Sequence, residues 1–359
     1  MAPPWRQLTS EQRRVAGDAV QLYEHYLELA TEARDFSGGI FWKKVKHREY
    51  LVRSLDRFGH IRSLGRRSAQ TEALYREFAA RKKDLRTRSV SIASQLSRRA
   101  KFCVAAEVNR VPNIPANIAR VLDNAGLLGT RLLLFGSHAL YAYEMAAGVQ
   151  FKAGLLQTDD LDTLIDPNSP LEIAAKARKL GLLGLLKKVD KTFAPARERS
   201  FRAVNARGFM VELLRPLSLQ GSALGLPSIG IGKDLVAEQL IGLDWILAGP
   251  KFSQLVIAEN GFPTRFVVPD PRVFALHKIW LSLQPTRNPM KRKRDFRQGE
   301  AVARLAIEYL NLSFEESVLR GLPNDLTSAV PAMLARLESR KPRASETKLP
   351  PGFESDEGD

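Results

Sequence analysis

The sequence predicts an α/β (α+β) fold, in which a mixed β-sheet lies between helical N-terminal and C-terminal regions. Apolar residues recur at helical spacing near both ends of the chain, whereas the middle contains short apolar runs separated by Gly, Pro and Asp. Asn260-Gly261, between two apolar runs, is the strongest hairpin signal in the chain. With 359 residues, of which 44% are apolar, the chain can form two domains or one elaborated domain.

The composition argues against a membrane protein and against cysteine chemistry. The mean hydropathy is −0.21, and no apolar run reaches the length of a spanning helix. The N-terminus has no apolar stretch behind its charges, so we expect no signal peptide, no membrane partner and a cytoplasmic location. Cys103 is the only cysteine, so an intrachain disulfide is impossible and any metal must be held by oxygen ligands.

Residues 1–110 are predicted to form a basic region that is helical and contains a β-hairpin. Thr9 and Gln12 have capping-box spacing ahead of a helix from about Ser10 to Ala33. Apolar and basic residues then alternate in two arms from Ile40 to Gly65, which favours a hairpin. A second stretch with helical spacing follows.

Most of the formal net charge of +16 lies in this first third of the chain. Residues 41–110 contain 19 lysines and arginines against 6 acids. Such a field attracts polyanions, so RNA or another nucleic acid is a possible partner; a solvated helix face explains the charge equally well. Trp42, Tyr50 and Arg53 are candidates to stack on bases and hold phosphates, or else they form the buried side of a small sheet.

Residues 111–250 are predicted to form the core that carries the site. We expect a strand over Arg131–Phe135, a helix over Ser137–Ala147 and a strand over Leu161–Ile165. Two further strands turn at Arg207-Gly208, and residues 235–249 are expected to be helical.

Residues 251–340 are predicted to form a hairpin followed by a helical domain. Its helices are expected over Pro271–Leu283, Arg297–Leu310 and about Leu326–Arg340. The basic run from Lys291 to Asp295 is either a charged loop or a clamp for phosphate or nucleic acid. The polar tail at 341–359 is expected to be disordered.

Three aspartates stand at the head of the second core strand. Alternate residues of a strand share a face, so Asp160 and Asp162 project together. Two adjacent carboxylates repel unless a cation lies between them, and an oxygen-only pair suits Mg²⁺ or Mn²⁺. The alternative is that Asp159 and Asp160 cap a turn, with Asp162 exposed on an edge strand.

Two other features are consistent with a site at these aspartates. Gly136-Ser137 follows an apolar strand and opens a helix, an arrangement that presents N–H groups and a hydroxyl to an anion. Glu212 interrupts the apolar strand at 209–214, where a lone buried carboxylate would be costly. His138, which has no partner nearby in sequence, is expected to be structural.

This series of motifs resembles the DNA polymerase β-like nucleotidyltransferase superfamily. A strand, Gly-Ser, a helix, an Asp-x-Asp strand and a later strand with one acid occur in that order. The segments FGSHALYAYEMAAG, DPRVFALHKIWLS and NPMKRKRDFRQ are most similar to a bacterial group of nucleotidyltransferase-fold proteins. The chain departs from the superfamily pattern in the 22 residues between Ser137 and Asp160, a longer spacing than usual, and in Glu at 212, where Asp is commoner.

The resemblance implies a nucleotidyltransferase-type mixed sheet and a role for each motif. Asp160, Asp162 and Glu212 would be the catalytic and metal-binding residues, with Mg²⁺ or Mn²⁺ as cofactor, and Glu212 would help to activate the attacking hydroxyl. Nucleotide would be bound by three residues, which are Gly136, Ser137 and Lys278. Lys278 has a structural alternative, since a lysine on an apolar helix often extends its charged end to the surface.

The implied activity is Mg²⁺-dependent transfer of a nucleoside monophosphate from an NTP such as ATP to an acceptor hydroxyl. RNA or protein is favoured as the acceptor over a small molecule. One alternative is an inactive protein that keeps the fold to bind nucleic acid or a partner. The other is a toxin–antitoxin-type nucleotidyltransferase, to which the segments around Lys278 and Asp295 are loosely similar.

Overall fold

A computed structural model describes residues 3–55, 60–166, 175–217, 228–230, 233–315, 319, 322, 324–328 and 330–338. It confirms the α+β class, with a mixed sheet between helical regions. None of the helices within these ranges combines the length and the apolar character needed to cross a membrane. The predicted domain boundaries near residues 110, 250 and 340 stay predictions.

The N-terminal part of the fold is a pair of long helices joined by a small sheet. Its elements are β1 Trp5–Gln7, α1 Ser10–Asp35, β2 Ile40–Val45, β3 Arg48–Ser54, β4 Ile61–Arg66 and α2 Ala69–Ala105. The predicted capping box is confirmed, because the Gln12 N–H donates to Thr9 Oγ1 at 3.1 Å and Gln12 Oε1 accepts from the Thr9 N–H. The predicted hairpin is present as β2 and β3, but the prediction is incomplete because a third strand, β4, pairs with β3.

The central part of the fold is a mixed sheet in the order β5-β7-β10-β9-β8, with β11 also paired to β10. Its elements are α3 Asn113–Asn124, β5 Leu132–Phe135, a 3₁₀ turn Gly136–His138, α4 Ala139–Ala147, β6 Val149–Phe151, α5 Ala153–Leu156, β7 Asp160–Ile165, α6 Ala175–Val189, β8 Ala194–Pro195, β9 Arg202–Val204, β10 Met210–Pro216, β11 Glu238–Leu240 and α7 Leu243–Ala248. Strand β1 reaches this region and pairs antiparallel with β6.

Two of the expected helices in this part begin later than predicted. The helix expected at Ser137 starts at Ala139, after the 3₁₀ turn. The expectation of helix over residues 235–249 is wrong in its first half, where β11 adds to the free edge of β10 at Leu214–Pro216. Gly242, with φ of +83°, separates that strand from the short α7.

The C-terminal part of the fold is the predicted hairpin followed by helices. Its elements are β12 Lys251–Ile257, β13 Pro263–Pro269, α8 Pro271–Leu283, α9 Pro289–Glu308, α10 Asn324–Thr327 and α11 Val330–Glu338. The Asn260-Gly261 turn is confirmed by the full register of β12 on β13. The predicted tail at 341–359 lies outside the described residues.

Helix α9 begins eight residues before its predicted start at Arg297, so the loop interpretation of Lys291–Asp295 is wrong. The Asn288 side chain accepts hydrogen bonds from the Met290 and Lys291 N–H groups, and Pro289 takes the first helical position. Asparagine as a cap followed by proline is a helix-start signal. Because of this earlier start, Asp295 lies on α9, where it is buried and accepts a hydrogen bond from Lys278 of α8.

Candidate functional site

The three predicted acids lie on one face of the central sheet. Strands β7 and β10 run parallel, with Glu212 directly opposite Asp162 and Met210 opposite Asp160. Paired residues share a face, and Asp160 shares that face with Asp162. Because β7 lies between β5 and β10, the alternative of Asp162 on an edge strand is wrong.

The residues between the acids anchor the strands in the core. Leu161 and Val211 point to the opposite face of the sheet and are fully buried. The alternation therefore fixes which face each acid occupies, since a slip by one residue would bury all three carboxylates.

Asp162 is buried and lies close to both acidic and basic groups. Burial, together with the charges of Asp160 and Glu212, raises the pKa of its carboxyl to about 7, while Lys278 and Lys291 oppose the shift. The carboxylates are thus close enough to repel one another, and the two lysines are close enough to act on them. A cation at this position would relieve the repulsion.

Gly136 follows β5 and packs its backbone against the Asp162 carboxylate. It has φ of +66°, and a Cβ at this position would overlap Asp162 Oδ2. No other residue type can adopt this conformation at such close approach without strain. The 3₁₀ turn thus carries its backbone to the acids, as the Gly-Ser motif predicts.

Ser137 is buried, and its hydroxyl is held from α9. Gln298 Nε2 donates to Ser137 Oγ at 3.0 Å and to the Leu155 carbonyl at 2.7 Å. Gln298 is fully buried. Sequence reasoning missed this residue because the predicted helix began at Arg297; a glutamine on the apolar stripe of α9 is the signal that identifies it.

Lys278 is buried, so the prediction of a lysine extending to the surface is wrong. Its Nζ donates to Asp295 Oδ1 at 2.8 Å, and Arg287 Nε donates to the other carboxylate oxygen at 2.8 Å. Asp295 has no exposed surface. Burial alone would raise the pKa of Asp295, but Lys278 and Arg287 together hold it below its ordinary value.

Glu212 is already paired with a neighbouring strand. Arg202, directly opposite on β9, donates from Nε to Glu212 Oε1 at 2.8 Å, and its terminal nitrogen contacts the same oxygen. Asp160 likewise accepts a hydrogen bond from the Thr158 hydroxyl. Within the described ranges, no three Asp, Glu, His or Cys side chains form a ready-made metal-binding group.

These residues nevertheless fit a divalent cation in chemistry. Asp160 and Asp162 offer carboxylate oxygens on one face, which are the ligands that Mg²⁺ and Mn²⁺ prefer. Glu212 lies beside them in register. Its carboxylate accepts a hydrogen bond from Arg202, which would have to be released before Glu212 could bind a cation. Arg202 was missed by sequence reasoning, and a basic residue opposite an acid across the short connection at residues 205–209 is the signal that finds it.

A cavity of about 650 Å³ opens beside Asp160. His138, Tyr141 and Met210 line one part of it, and the basic residues Lys291 and Arg294 of α9 line another. Burial lowers the pKa of His138 to about 4, so its ring is neutral near neutral pH. Its Nδ1 has no hydrogen-bond partner among the described residues.

Comparison with family models shows the family to which the chain belongs. Residues 113–322, more than half of the chain, match a family model described as nucleotidyltransferase. The chain therefore belongs to this nucleotidyltransferase family. The matched range contains the predicted site residues, which are Gly136, Ser137, Asp160, Asp162, Glu212 and Lys278. Comparison with curated proteins and with solved structures finds no match.

Proposed function

We propose that the protein transfers a nucleoside monophosphate from an NTP to an acceptor hydroxyl in a reaction that depends on Mg²⁺ or Mn²⁺. The observation that carries the proposal is the placement of Asp160, Asp162 and Glu212 on one sheet face, against the backbone of Gly136. We also place the chain in the DNA polymerase β-like superfamily, on the order of these motifs along the sequence.

In this proposal each part of the face has a separate task. The Gly136-Ser137 backbone binds the triphosphate, the Lys278 ammonium attracts it by its charge from the buried pair with Asp295, and Lys291 adds a further positive charge at the cavity. Asp160, Asp162 and Glu212 hold the divalent cation. When bound, that cation supplies charge neutralisation of the phosphates and lowers the pKa of the acceptor hydroxyl.

The bonds and the proton balance as follows. The acceptor oxygen forms a bond to the α-phosphorus, the bond between that phosphorus and the β-phosphate oxygen breaks, and pyrophosphate leaves. Glu212, once released from Arg202, accepts the hydroxyl proton. Gln298 keeps the Ser137 hydroxyl in place through a buried hydrogen bond.

RNA or protein is the proposed class of acceptor. The cavity beside Asp160 is bordered by basic residues, and the N-terminal region adds a larger basic surface. A small, uncharged acceptor would gain little from this field, whereas a polyanion is drawn to it over a long range.

Label transfer tests the proposal. The purified chain is incubated with each α-labelled NTP, with Mg²⁺ or Mn²⁺, and with total RNA or total protein as acceptor. We expect label on one acceptor class, and a loss of several orders of magnitude in Asp162→Asn, since that carboxylate acts mainly in the transition state. Transfer to no acceptor by the wild type would instead favour the alternative of a binding protein that keeps the fold without the activity. Label on tRNA or on one protein would favour the toxin–antitoxin type.

Removal of Arg202 tests whether its ion pair competes with the metal. In Arg202→Met we expect Mn²⁺ to bind several-fold more tightly than in the wild type, because the Glu212 carboxylate is freed and a nearby positive charge is lost. Electron paramagnetic resonance of free Mn²⁺ measures the change.

Arg207→Met is the matched control, since Arg207 is exposed in the turn after β9. Equal or weaker Mn²⁺ binding in Arg202→Met would show that Glu212 takes no part in holding the cation.

A further inference from the structure

The three-stranded sheet β2-β3-β4 has two chemically different faces. Residues paired across strands share a face, so the register assigns every side chain. One face, with Trp42 and Arg53, packs on α2: the Trp42 ring lies 6.1 Å from the Tyr75 ring, and the Arg53 guanidinium lies over the Phe78 ring. The opposite face, called here the outer sheet face, consists of Phe41, Lys43, Val45, Arg48, Tyr50, Val52, Ser54, Ile61, Ser63 and Arg66.

On the face toward α2, Arg53 and the neighbouring Arg67 are engaged with other parts of the protein, whereas Lys44 and Arg62 are exposed and form no ion pair within the described part of the chain. Arg67, which follows β4, pairs with Glu49 at 2.6 Å and lies over the Trp42 ring. Arg53 donates to the Asp35 carbonyl. These contacts favour the alternative in which Trp42 and Arg53 form the inward side of a small sheet over a role for them in stacking and phosphate binding.

The outer sheet face has its charges unsatisfied. Lys43, Arg48 and Arg66 are exposed, and none forms an ion pair within the described part of the chain. None of the residues that make up the face is acidic. Three unpaired cations on one small sheet create a positive field that needs an external anion.

Aromatic side chains stand between these cations. Phe41 is 44% exposed, a large value for a phenylalanine on a folded sheet. Tyr50 is paired in register with Lys43 and is flanked on β4 by Arg66. Side chains on one face of a strand repeat at about 7 Å, so rings and cations alternate across the surface.

We infer that the outer sheet face binds single-stranded nucleic acid. Phe41 and Tyr50 stack on unpaired bases, and Lys43, Arg48 and Arg66 contact the phosphates between them. A duplex hides its base faces, so an exposed ring on a sheet has nothing to stack on there. An acidic protein or a lipid headgroup would use the cations but not the ring faces.

Binding of a fluorescent single strand to the full-length chain tests this inference. The probe is an RNA of about 15 nucleotides, a length suited to a single binding surface, and the readout is anisotropy over a range of salt concentrations. We expect Phe41→Ala and Tyr50→Ala each to weaken binding about tenfold or more, while Tyr50→Phe, which keeps the ring, binds as the wild type does.

The salt dependence tests the cations separately. Lys43→Ala and Arg48→Ala should each reduce the slope of log K against log salt by about 0.7, the value for one phosphate contact on a single strand. The matched controls are Lys44→Ala and Arg62→Ala, which remove one lysine and one arginine from the same small sheet, but on the face toward α2. These should leave the slope unchanged, and circular dichroism checks that every variant is folded.

The inference is overturned if the duplex of the same sequence binds as tightly as the single strand, or if Lys44→Ala flattens the slope as much as Lys43→Ala does. Binding to phosphatidylserine vesicles without binding to RNA would assign the face to a lipid surface and also overturn it. This binding does not depend on the proposed transfer reaction, since the outer sheet face contains none of the residues proposed to act in that reaction.

Discussion

Gly136 joins strand β5 to the 3₁₀ turn, and its left-handed backbone lies against the Asp162 carboxylate. The sequence shows only a glycine before a serine. The structure adds the reason, which is that an added methyl group would overlap the acid. The same contact explains why the turn and the acids form one site.

We expect Gly136→Ala to lower the free energy of unfolding by about 3 kcal/mol or more, since overlap with Asp162 adds to the strain of a positive φ. Gly126→Ala is the control, because Gly126 has φ of +71° and open space around its Cβ position. That variant should lose only about 1–2 kcal/mol. Chemical denaturation measures both, and equal losses would show that the approach to Asp162 carries no cost.

His277 is the second residue whose environment the sequence conceals. It is 2% exposed, lies between the rings of Phe135 and Trp280, and has no hydrogen-bond partner for either ring nitrogen within the described ranges. Burial, with smaller contributions from the charges of Lys278 and Arg287, lowers its pKa to about 3 against the opposing charge of Asp295. The folded protein therefore keeps this ring neutral.

This histidine makes the protein less stable in acid. Its pKa is lowered from 6.5 in the unfolded chain, so below that pH the unfolded state binds a proton that the folded state does not. The unfolding free energy should fall by about 2 kcal/mol between about pH 7 and about pH 5 from this group alone. His277→Phe should lose less stability over that range than the wild type, and His47→Gln, at an exposed site, should not differ from it. Identical pH dependence in His277→Phe and the wild type would contradict the assignment.

At the scale of elements, helices α8 and α9 are joined by a buried ion pair. Asp295 accepts from Lys278 on α8 and from Arg287 in the loop between the helices. Removing one partner of such a pair leaves a buried charge uncompensated. The pair therefore fixes α9, and with it Gln298 and Lys291, against the site.

We expect Asp295→Asn to lower the unfolding free energy by about 3 kcal/mol, because the Lys278 ammonium loses its counter-charge in the interior. Glu308→Gln is the control on the same helix, where Glu308 pairs with Arg304 four residues earlier near the surface. That loss should be below about 0.5 kcal/mol. Thermal or urea unfolding measures both variants. A similarly small loss of unfolding free energy in the two would show that the buried ion pair does not stabilise the packing of α8 on α9.

Elements with strong local signals were predictable from the sequence. The capping box at Thr9, the Asn-Gly hairpin and the proline-started α8 are each specified by neighbours along the chain. Strand β11 was not predictable, because it depends on the free edge of β10, more than 20 residues away in sequence. The Asn288-Pro289 signal for α9 was present but was outweighed by the run of charge that follows it.

At the scale of the whole molecule, the sequence predicts which sheet face carries the candidate site residues. It does not predict the side chains with which these residues form hydrogen bonds and ion pairs. Alternation in β7 places Asp160 and Asp162 together, whereas the Arg202 contact to Glu212 arises only from strand register. The burial of Lys278 follows from packing against α9. The alternation of residues along a strand determines which face of the sheet each side chain occupies. The partners of that side chain depend on which strands and helices pack together in the folded protein.

Positive charge lies on two separate surfaces of the molecule. Cations of α9 border the cavity beside Asp160, and cations of β2, β3 and β4 form the outer sheet face. The first is proposed to act on triphosphate and the second on a nucleic-acid strand. Each can fail in its own experiment without affecting the other.

The measurement that tests the central claim most directly is the melting temperature of the wild type and of Asp162→Asn, each with and without Mg²⁺ and NTP. Ligands that bind only the folded state raise its stability by about 2.7 kcal/mol at a hundredfold excess over the dissociation constant. We expect the wild type to be stabilised by Mg²⁺ and NTP together, and Asp162→Asn to be stabilised much less.

Without ligands, Asp162→Asn should melt at the same temperature as the wild type or at a higher one, because one crowded carboxylate is neutralised. Asp244→Asn, which removes an exposed carboxylate on α7, should behave as the wild type. A wild type that is not stabilised, or an Asp162→Asn variant that is stabilised as strongly, would contradict the claim that these acids form the nucleotide and metal site.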